Sequence, residues 1–449
     1  MPPSIFIDFS LPNSTTWFYF SVILAIALFF KFSRIFSLRN WDVLALFAMV
    51  PGLLLVQEAH ELRRQATQLA NAARIYAMPD DGGVGKAIAG SLEGPARLRD
   101  DMANQRLWWG YFVLIAGSAY WLLRCLIDTA LIERPALHPN LNPAGLAWLA
   151  LALFASLGVV AVTKRVTGEL PLGSPHVVIQ EAEVRATKLV QSTSGIDSER
   201  VQWWVERTLS GTCHLAVVVG LILVGRRHFG TTTVGVAAAT AYLLLPYIAV
   251  HLTKVEHVLP SALLVWAVVI YQRPAVSGAL LGLAGGWFLF PLLVVPVWAH
   301  FYKRRGMGRF LAAFAVAAGI SLALVAFALW ANDRFTWRIP TIISVPELKN
   351  WRVPGAEGFW TGIYWAYRLP VFICALAFVV LTAFWPEPKD LGHVLALSCA
   401  HLLGAQLWYA RGGGTYVLWY LPLLLLMVFR PTMADRLPPD MVADQSSPV

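Results

Sequence analysis

The sequence predicts an all-α fold, a polytopic bundle of transmembrane helices, on three observations. Of its 449 residues, 57% are hydrophobic and only 14% are charged, and the mean hydropathy is +0.60. Soluble domains of this size rarely have such a composition. Apolar blocks recur along the chain, and each approaches the roughly 17 to 25 residues that a spanning helix needs. The basic residues concentrate in short connections between these blocks, as in cytoplasmic loops.

The apolar blocks place eleven spans, and one interrupted block adds two half-helices. Gly285, Gly286 and Pro291 break the apolar block at 277–305, where a single helix would carry Lys303 and its basic neighbours across the membrane. Two short half-helices that meet near the glycines return this basic cluster to the cytoplasmic side. The total is about thirteen helices. The spans lie at about residues 14–30, 41–56, 108–126, 146–162, 211–225, 232–250, 258–271, 310–330, 369–385, 392–408 and 415–429.

The basic connections also set the predicted orientation. Short loops rich in Lys and Arg stay in the cytoplasm, so the N-terminus lies outside and the C-terminus inside. We expect an integral protein of a bacterial inner membrane. The net charge of +9 follows this sidedness and does not form a patch that would bind nucleic acid. The residues that define the cytoplasmic connections are Lys31, Arg34, Arg39, Arg226, Arg227, Lys303, Arg304, Arg305 and Arg309.

Two long outer connections, at about 57–107 and 163–210, contain stretches with helical apolar spacing. In the first, Leu62, Leu69 and Ile75 share one face. Such patterns are typical of amphipathic helices that lie on the membrane surface. The second contains a similar helix in "HVVIQEAEVRATKLVQ", with an apolar face formed by Val177, Val184 and Leu189.

The predicted organisation has three parts. Residues 1–140 hold N-terminal transmembrane helices and the first outer loop, and residues 141–429 form a transmembrane core with outer loops at 163–210 and 331–368. Residues 430–449, rich in Pro and polar side chains, are predicted to be a disordered cytoplasmic tail.

Ionisable residues crowd the turn "HLTKVEH", between two apolar blocks. His251, Lys254, Glu256 and His257 lie there, at the predicted outer mouth of the bundle. Ionisable side chains at membrane depth are costly and mark a functional site by default. Solvated groups at an outer turn are the alternative, with Lys254 extended toward the surface.

Several segments resemble the membrane glycosyltransferases of the GT-C class, which use polyprenyl-phosphate sugars. The resemblance lies in the order of parts over residues 223–291: a helix ending in "GRRHFG", a helix ending near a proline, a polar turn with an acid, a short helix and the half-helix "GALLGLA". "GAEGFWTGIYWAYRLPV" (355–371) and "RGGGTYVLWYLPLLLL" (411–426) are similar to the late outer loop and final helix of that class. The likeness covers about residues 146–429.

The resemblance implies a binding site for a lipid-linked sugar donor. Lys254 would pair with the donor phosphate, and Glu256 and His257 would bind sugar hydroxyls or move a proton. His251 would belong to the same substrate-binding set. Further positive charge for the leaving phosphate would come from the predicted outer residues Arg411, Arg338, Lys349, Arg352 and Arg368. Three glycines after Arg411 would let a ligand approach the backbone, and Tyr416 and Trp419 would offer aromatic faces to a sugar.

The resemblance also implies a loop carboxylate as the base that activates the acceptor hydroxyl. The class often carries an Asp-Glu pair near the start of this loop, and residues 163–210 hold none. Glu181 and Glu183 are therefore the predicted catalytic residues. If the earlier loop is the counterpart, the candidates are Glu58, Glu61, Asp80 and Asp81.

Two functions stay open on the sequence. The first is a hexosyl- or pentosyltransferase that uses a polyprenyl-phosphate sugar on the outer face, with membrane lipid and the lipid-linked sugar as its partners. The second is a non-catalytic polytopic protein, either a transporter or flippase or a scaffold of a membrane complex. No motif specifies a metal ligand, so no metal residue is assigned and the need for a divalent ion stays open.

Overall fold

The computed structural model describes residues 14–77, 84–131, 139–163, 177–194, 198–288, 290–304, 306–331, 358–360, 363–409, 412–433 and 435–438. These residues form helices and turns, with no strand among them. Six helices in the described ranges are long and apolar enough to cross a membrane. The all-α prediction is therefore confirmed, and the six long apolar helices indicate an integral membrane protein.

The helices are, in chain order, α1 (Ser14–Phe29), α2 (Leu38–Ala48), α3 (Val50–Tyr76), α4 (Val84–Asp128), α5 (Pro143–Thr163), α6 (Val177–Ser194), α7 (Ser198–Arg227), α8 (Thr232–Leu244), α9 (Pro246–Val250), α10 (Val255–Val269), α11 (Pro274–Trp287), α12 (Val295–Phe301), α13 (Met307–Ala331), α14 (Arg368–Phe384), α15 (Leu391–Trp408) and α16 (Leu421–Phe429). Short 3₁₀ helices lie at Phe32–Arg34, Phe290–Val294, Trp365–Tyr367 and Val417–Trp419. The six long apolar segments are Leu38–Tyr76, Gly85–Asp128, Pro143–Thr163, Arg200–Arg227, Met307–Trp330 and Leu391–Trp408.

Residues 44–119 form one compact unit, a hairpin of two long antiparallel helices. Small residues recur at every seventh position along its seam. Gly52 packs on Gly110, since an added Cβ at Gly52 would lie 2.8 Å from the Gly110 carbonyl oxygen. This heptad repeat of small side chains brings two helix backbones close together in the manner of a coiled coil. Its buried positions continue along both helices: Ala59, Ala66 and Ala73 of α3, and Ala89, Ala96 and Ala103 of α4.

This hairpin differs from the predicted outer loop. Residues 59–76 continue α3 instead of forming a separate interfacial helix. Their buried face is the alanine seam, whereas Ile75 is 67% exposed. Ion pairs between the two helices, Arg63 with Asp100 at 3.7 Å and Arg106 with Glu58, lie beside the seam.

The remaining described residues form the main unit. In it, α11 and α13 run parallel, because their contacts advance together along both helices. An added Cβ at Gly278 would lie 2.2 Å from the Phe310 carbonyl oxygen, and one at Gly286 would lie 2.9 Å from the Ala318 carbonyl oxygen. Two parallel neighbours need a connection that returns the chain to its starting end.

The segment between α11 and α13 makes this return. Beyond Trp287 the chain forms the 3₁₀ helix Phe290–Val294 and then α12. The Tyr302 hydroxyl donates to the Tyr271 carbonyl oxygen, and an added Cβ at Gly306 would lie 2.8 Å from Pro274 Cγ. The end of α12 therefore lies beside the start of α11. The predicted pair of half-helices is confirmed.

Replacing Gly282 with leucine is expected to destabilise the α11–α13 packing. A Cβ there would lie 2.4 Å from the Phe314 carbonyl oxygen, so the backbones have to separate, at a cost of about 1–3 kcal/mol. The thermal unfolding midpoint in detergent micelles measures the effect. The matched control is Gly319→Leu on α13, where an added Cβ meets no atom within 4 Å. Equal midpoints for the two variants would contradict this interface.

One end of the main unit carries the basic connections and is called the basic end. There His228 Nε2 lies 2.9 Å from the Val269 carbonyl oxygen, and Lys303 pairs with Glu387 at 3.3 Å. The predicted tail begins at this end in a folded form, since Arg436 donates to the His228 carbonyl oxygen at 3.2 Å. The basic residues of this end include Arg226, Arg227, Arg273, Lys303, Arg304 and Arg430.

A chain of four buried charges lies at the basic end. Arg124 donates two hydrogen bonds of 2.8 Å to the Asp42 carboxylate and one of 3.1 Å to Asp128. Arg430 completes the chain with a 2.6 Å bond to Asp128. Each of the four side chains is at most 6% exposed. We call this set, with two acids and two bases, the buried ion chain.

Candidate functional site

The predicted polar turn lies at the opposite end of the main unit. Leu245 at the end of α8 is extended, because it precedes Pro246 and the residue before a proline avoids the helical region. The short helix α9 ends at Val250, and α10 begins at Val255. Ser210 of α7 fixes the turn between them by donating to the Leu252 carbonyl oxygen at 2.7 Å.

Five aromatic rings stack in sequence at this end. His251 stacks on His257 with ring centroids 4.1 Å apart, and His257 stacks on Tyr416 at 4.9 Å. Tyr416 stacks on Trp419 at 4.0 Å, and Trp419 stacks on Phe290 at 3.4 Å. We call these five residues the ring column. It joins the polar turn, α10, the last 3₁₀ helix and the return between the half-helices, so residues distant in sequence form one cluster.

The ring column is closed on its faces. His257 covers one face of Tyr416 and Trp419 covers the other, and Trp419 lies between Tyr416 and Phe290. The Trp419 indole N–H also donates to the Glu256 carbonyl oxygen at 3.2 Å. The rings of Tyr416 and Trp419, which the sequence analysis proposes as stacking faces for a sugar, therefore pack against other rings in this structure. A sugar that stacked on them would have to displace a ring.

The loop after α15 contains Gly412, Gly413 and Gly414 and is called the glycine loop. Its backbone geometry requires glycine. Gly412 and Gly414 have positive φ angles of 63° and 93°. Gly413 bridges to Gly358, and a Cβ on Gly413 would lie 2.7 Å from the Gln406 carbonyl oxygen. The Gly414 N–H donates to Gln406 Oε1 at 3.0 Å. At least this N–H is therefore satisfied within the protein.

The buried side-chain nitrogens near the column and the loop include three that make no hydrogen bond to the part of the chain that the structure describes. They are Nδ1 of His257, Nε2 of Gln406 and Nε1 of Trp408. Unsatisfied buried polar groups are rare and costly, and more so within a membrane. A ligand oxygen or an ordered water would satisfy them. Gln406 and Trp408 were missed from the sequence, although a glutamine inside the apolar segment "HLLGAQLW" was a signal.

The other predicted site residues lie around the column or outside it. Lys254 is exposed and precedes α10, and Glu256 is half-buried in its first turn. Glu181 and Glu183 lie in α6, but their side chains fall outside the described part of the structure. Arg411 also lies outside the described residues.

Helix α6 packs against α7 and α13. The Arg185 guanidinium on α6 lies 5.1 Å from the ring centre of Phe327, near the end of α13. This contact places α6 at the same end of the main unit as the column.

Arg368 was considered from sequence as a phosphate ligand. It is 2% exposed, and its guanidinium donates to the Trp408 carbonyl oxygen at 3.2 and 3.0 Å. Trp408 is the last residue of α15. Arginine stabilises such helix ends because unpaired carbonyl groups and the negative end of the dipole meet there. Arg368 therefore anchors the glycine loop at its base.

Among the described residues, no group of three His, Cys, Asp or Glu side chains is placed to hold a metal ion. Comparison with protein-family models, with curated proteins and with solved structures found no match to this chain. The proposed function therefore rests on the geometry of the ring column and its surroundings.

Proposed function

We propose that the chain is an integral membrane glycosyltransferase that moves a sugar from a polyprenyl-phosphate-linked donor to an acceptor on the outer face of the membrane. One observation carries the proposal. The predicted donor-binding residues His251, His257 and Tyr416 form one stack, together with the return between two half-helices. This stack lies at the end opposite the basic residues, which is the outer end by the positive-inside rule.

We divide the chemistry among the residues predicted from the sequence and the buried nitrogens near the ring column. A carboxylate accepts the proton of the acceptor hydroxyl as this oxygen attacks the anomeric carbon, and we assign this role to Glu181 or Glu183. The bond from the anomeric carbon to the phosphate oxygen breaks, and the lipid phosphate leaves with the electron pair. Lys254 and Arg411 stabilise its charge. His257, Gln406 and Trp408 supply the buried nitrogens that bind sugar oxygens.

The closed faces of Tyr416 and Trp419 favour the second function, a non-catalytic transporter or scaffold. In that function the column is a structural joint, and the buried nitrogens bind water. A column that never opens does not admit a sugar. The two functions therefore differ in whether the folded protein binds and consumes a lipid-linked sugar.

The experiment measures sugar transfer by the purified protein in lipid, from a panel of polyprenyl-phosphate sugars. Glu181→Gln or Glu183→Gln is expected to lower turnover by about 10²- to 10⁴-fold, because the general base is lost. Donor binding should persist in the affected variant. Glu256→Gln tests binding, and Glu93→Gln on the exposed part of α4 is the matched control. A folded wild-type protein that binds no donor and transfers nothing would establish the non-catalytic function instead.

A further inference from the structure

A cleft opens at the side of the main unit between α5 and α7. Its volume is about 210 Å³, and apolar side chains form most of its wall. Leu157 and Gly158 of α5 face Gly211 and His214 of α7, and Leu243 of α8 closes the back. The His214 ring is fixed at the inner wall, with Nδ1 2.9 Å from the Tyr242 hydroxyl. We call this space the lateral cleft.

The surfaces on both sides of the lateral cleft are apolar and exposed. Trp148 and Val159 of α5 are 71% and 52% exposed, and Leu215 of α7 is 47% exposed. Both helices are long and apolar enough to span the membrane. An acyl chain of the surrounding bilayer can therefore enter the cleft from the side without crossing a polar surface.

Arg207 supplies positive charge at the mouth of the lateral cleft. Its Nε donates to the Ala161 carbonyl oxygen at 2.7 Å, in the last turn of α5. Its guanidinium also lies 3.8 Å from the ring centre of Trp203 and bonds the carbonyl oxygen of that residue at 3.1 Å. These contacts hold the cation beside an apolar cleft, near one end of two spanning helices, where a lipid headgroup lies.

From these observations we propose that the lateral cleft binds one acyl chain of an anionic phospholipid, with the headgroup phosphate at Arg207. The charge of Arg207 selects an anionic over a zwitterionic headgroup, because juxtamembrane basic side chains attract anionic lipids. Gly158 and Gly211 leave room for the chain, since an added Cβ at either position meets no atom within 4 Å. The lateral cleft is also lined by Leu252 of the polar turn and so lies beside the proposed sugar-transfer site, but the lipid proposal does not depend on that function.

The test titrates the delipidated full-length protein with phosphatidylglycerol or phosphatidylcholine and counts bound lipids by native mass spectrometry. Wild type is expected to bind one phosphatidylglycerol about fivefold more tightly than phosphatidylcholine. Gly211→Leu fills the cleft and should weaken this binding by about tenfold or more. The control Gly319→Leu, also at an open helical position, should bind as wild type does. Arg207→Gln should retain binding but lose the headgroup preference.

Two outcomes would overturn the proposal. One is equal binding of phosphatidylglycerol by wild type and Gly211→Leu, which would place the lipid elsewhere. The other is displacement of the bound lipid by an equal concentration of a polyprenyl phosphate, which would assign the cleft to a different lipid. Thermal unfolding of each variant identifies any loss that is due to misfolding, and a valine at Gly211 then repeats the test with a smaller side chain.

Discussion

Replacing Arg124 with methionine is expected to lower the free energy of unfolding by about 3–5 kcal/mol. Arg124 is the only cation that joins the Asp42 carboxylate to Asp128 among the described contacts of the buried ion chain. Without it, the buried Asp42 carboxylate loses the two 2.8 Å hydrogen bonds that it accepts from this guanidinium. Removing one member of a buried ion pair is costly because the other member keeps its desolvation penalty and loses the attraction. Unfolding by SDS in mixed micelles measures the change.

The matched control is Arg97→Met on the same helix. Arg97 is 82% exposed and pairs with Glu93 at 3.6 Å, so its loss should cost less than about 1 kcal/mol. A second variant separates charge from packing. Arg124→Met combined with Asp42→Leu removes both members of the pair and should recover much of the stability, since apolar replacements of a buried pair are often neutral. Equal effects of Arg124→Met and Arg97→Met would show that the buried ion chain does not stabilise the fold.

The sequence predicted the features that hydropathy and sidedness determine. The break at Gly285–Pro291 was found because Lys303 and its neighbours had to return to the basic end, and the structure makes that return through α12. The polar turn at 251–257 was placed at the opposite end for the same reason. These inferences need only local composition and the positive-inside rule.

The missed features depend on pairs of residues far apart in sequence. Arg124 meets Asp42 and Arg430 meets Asp128 only after the helices pack, although the Arg-Asp spacing of four residues inside an apolar helix was a signal. Leu62 and Leu69 predict an amphipathic surface helix, whereas the seam of the hairpin is made by small residues every seven positions. A search for apolar helix faces gives alanine little weight, although small side chains such as alanine are what allow two helix backbones to approach closely.

Replacing Trp419 with alanine is expected to destabilise the protein by about 3–5 kcal/mol. The indole lies between Tyr416 and Phe290, and its N–H donates a hydrogen bond to the Glu256 carbonyl oxygen. Trp419→Phe keeps an aromatic ring in the column and loses the hydrogen bond, so about 0.5–1.5 kcal/mol should be lost. Trp148→Ala, at a 71% exposed position, is the control and should change stability little. SDS unfolding in mixed micelles ranks the three variants.

A Tyr416 variant distinguishes whether the ring column is only a structural joint or also part of a donor-binding site. Tyr416→Phe retains the ring between His257 and Trp419 and removes only the hydroxyl. If the column is a joint alone, this variant leaves donor affinity unchanged, whatever its effect on the free energy of unfolding. If Tyr416 binds the donor, affinity falls by about 10-fold or more through loss of one hydrogen bond to a charged phosphate, while the unfolding energy stays near that of wild type. Unchanged donor affinity would remove Tyr416 from the proposed site and leave the buried nitrogens of His257, Gln406 and Trp408 as the groups proposed to bind the sugar.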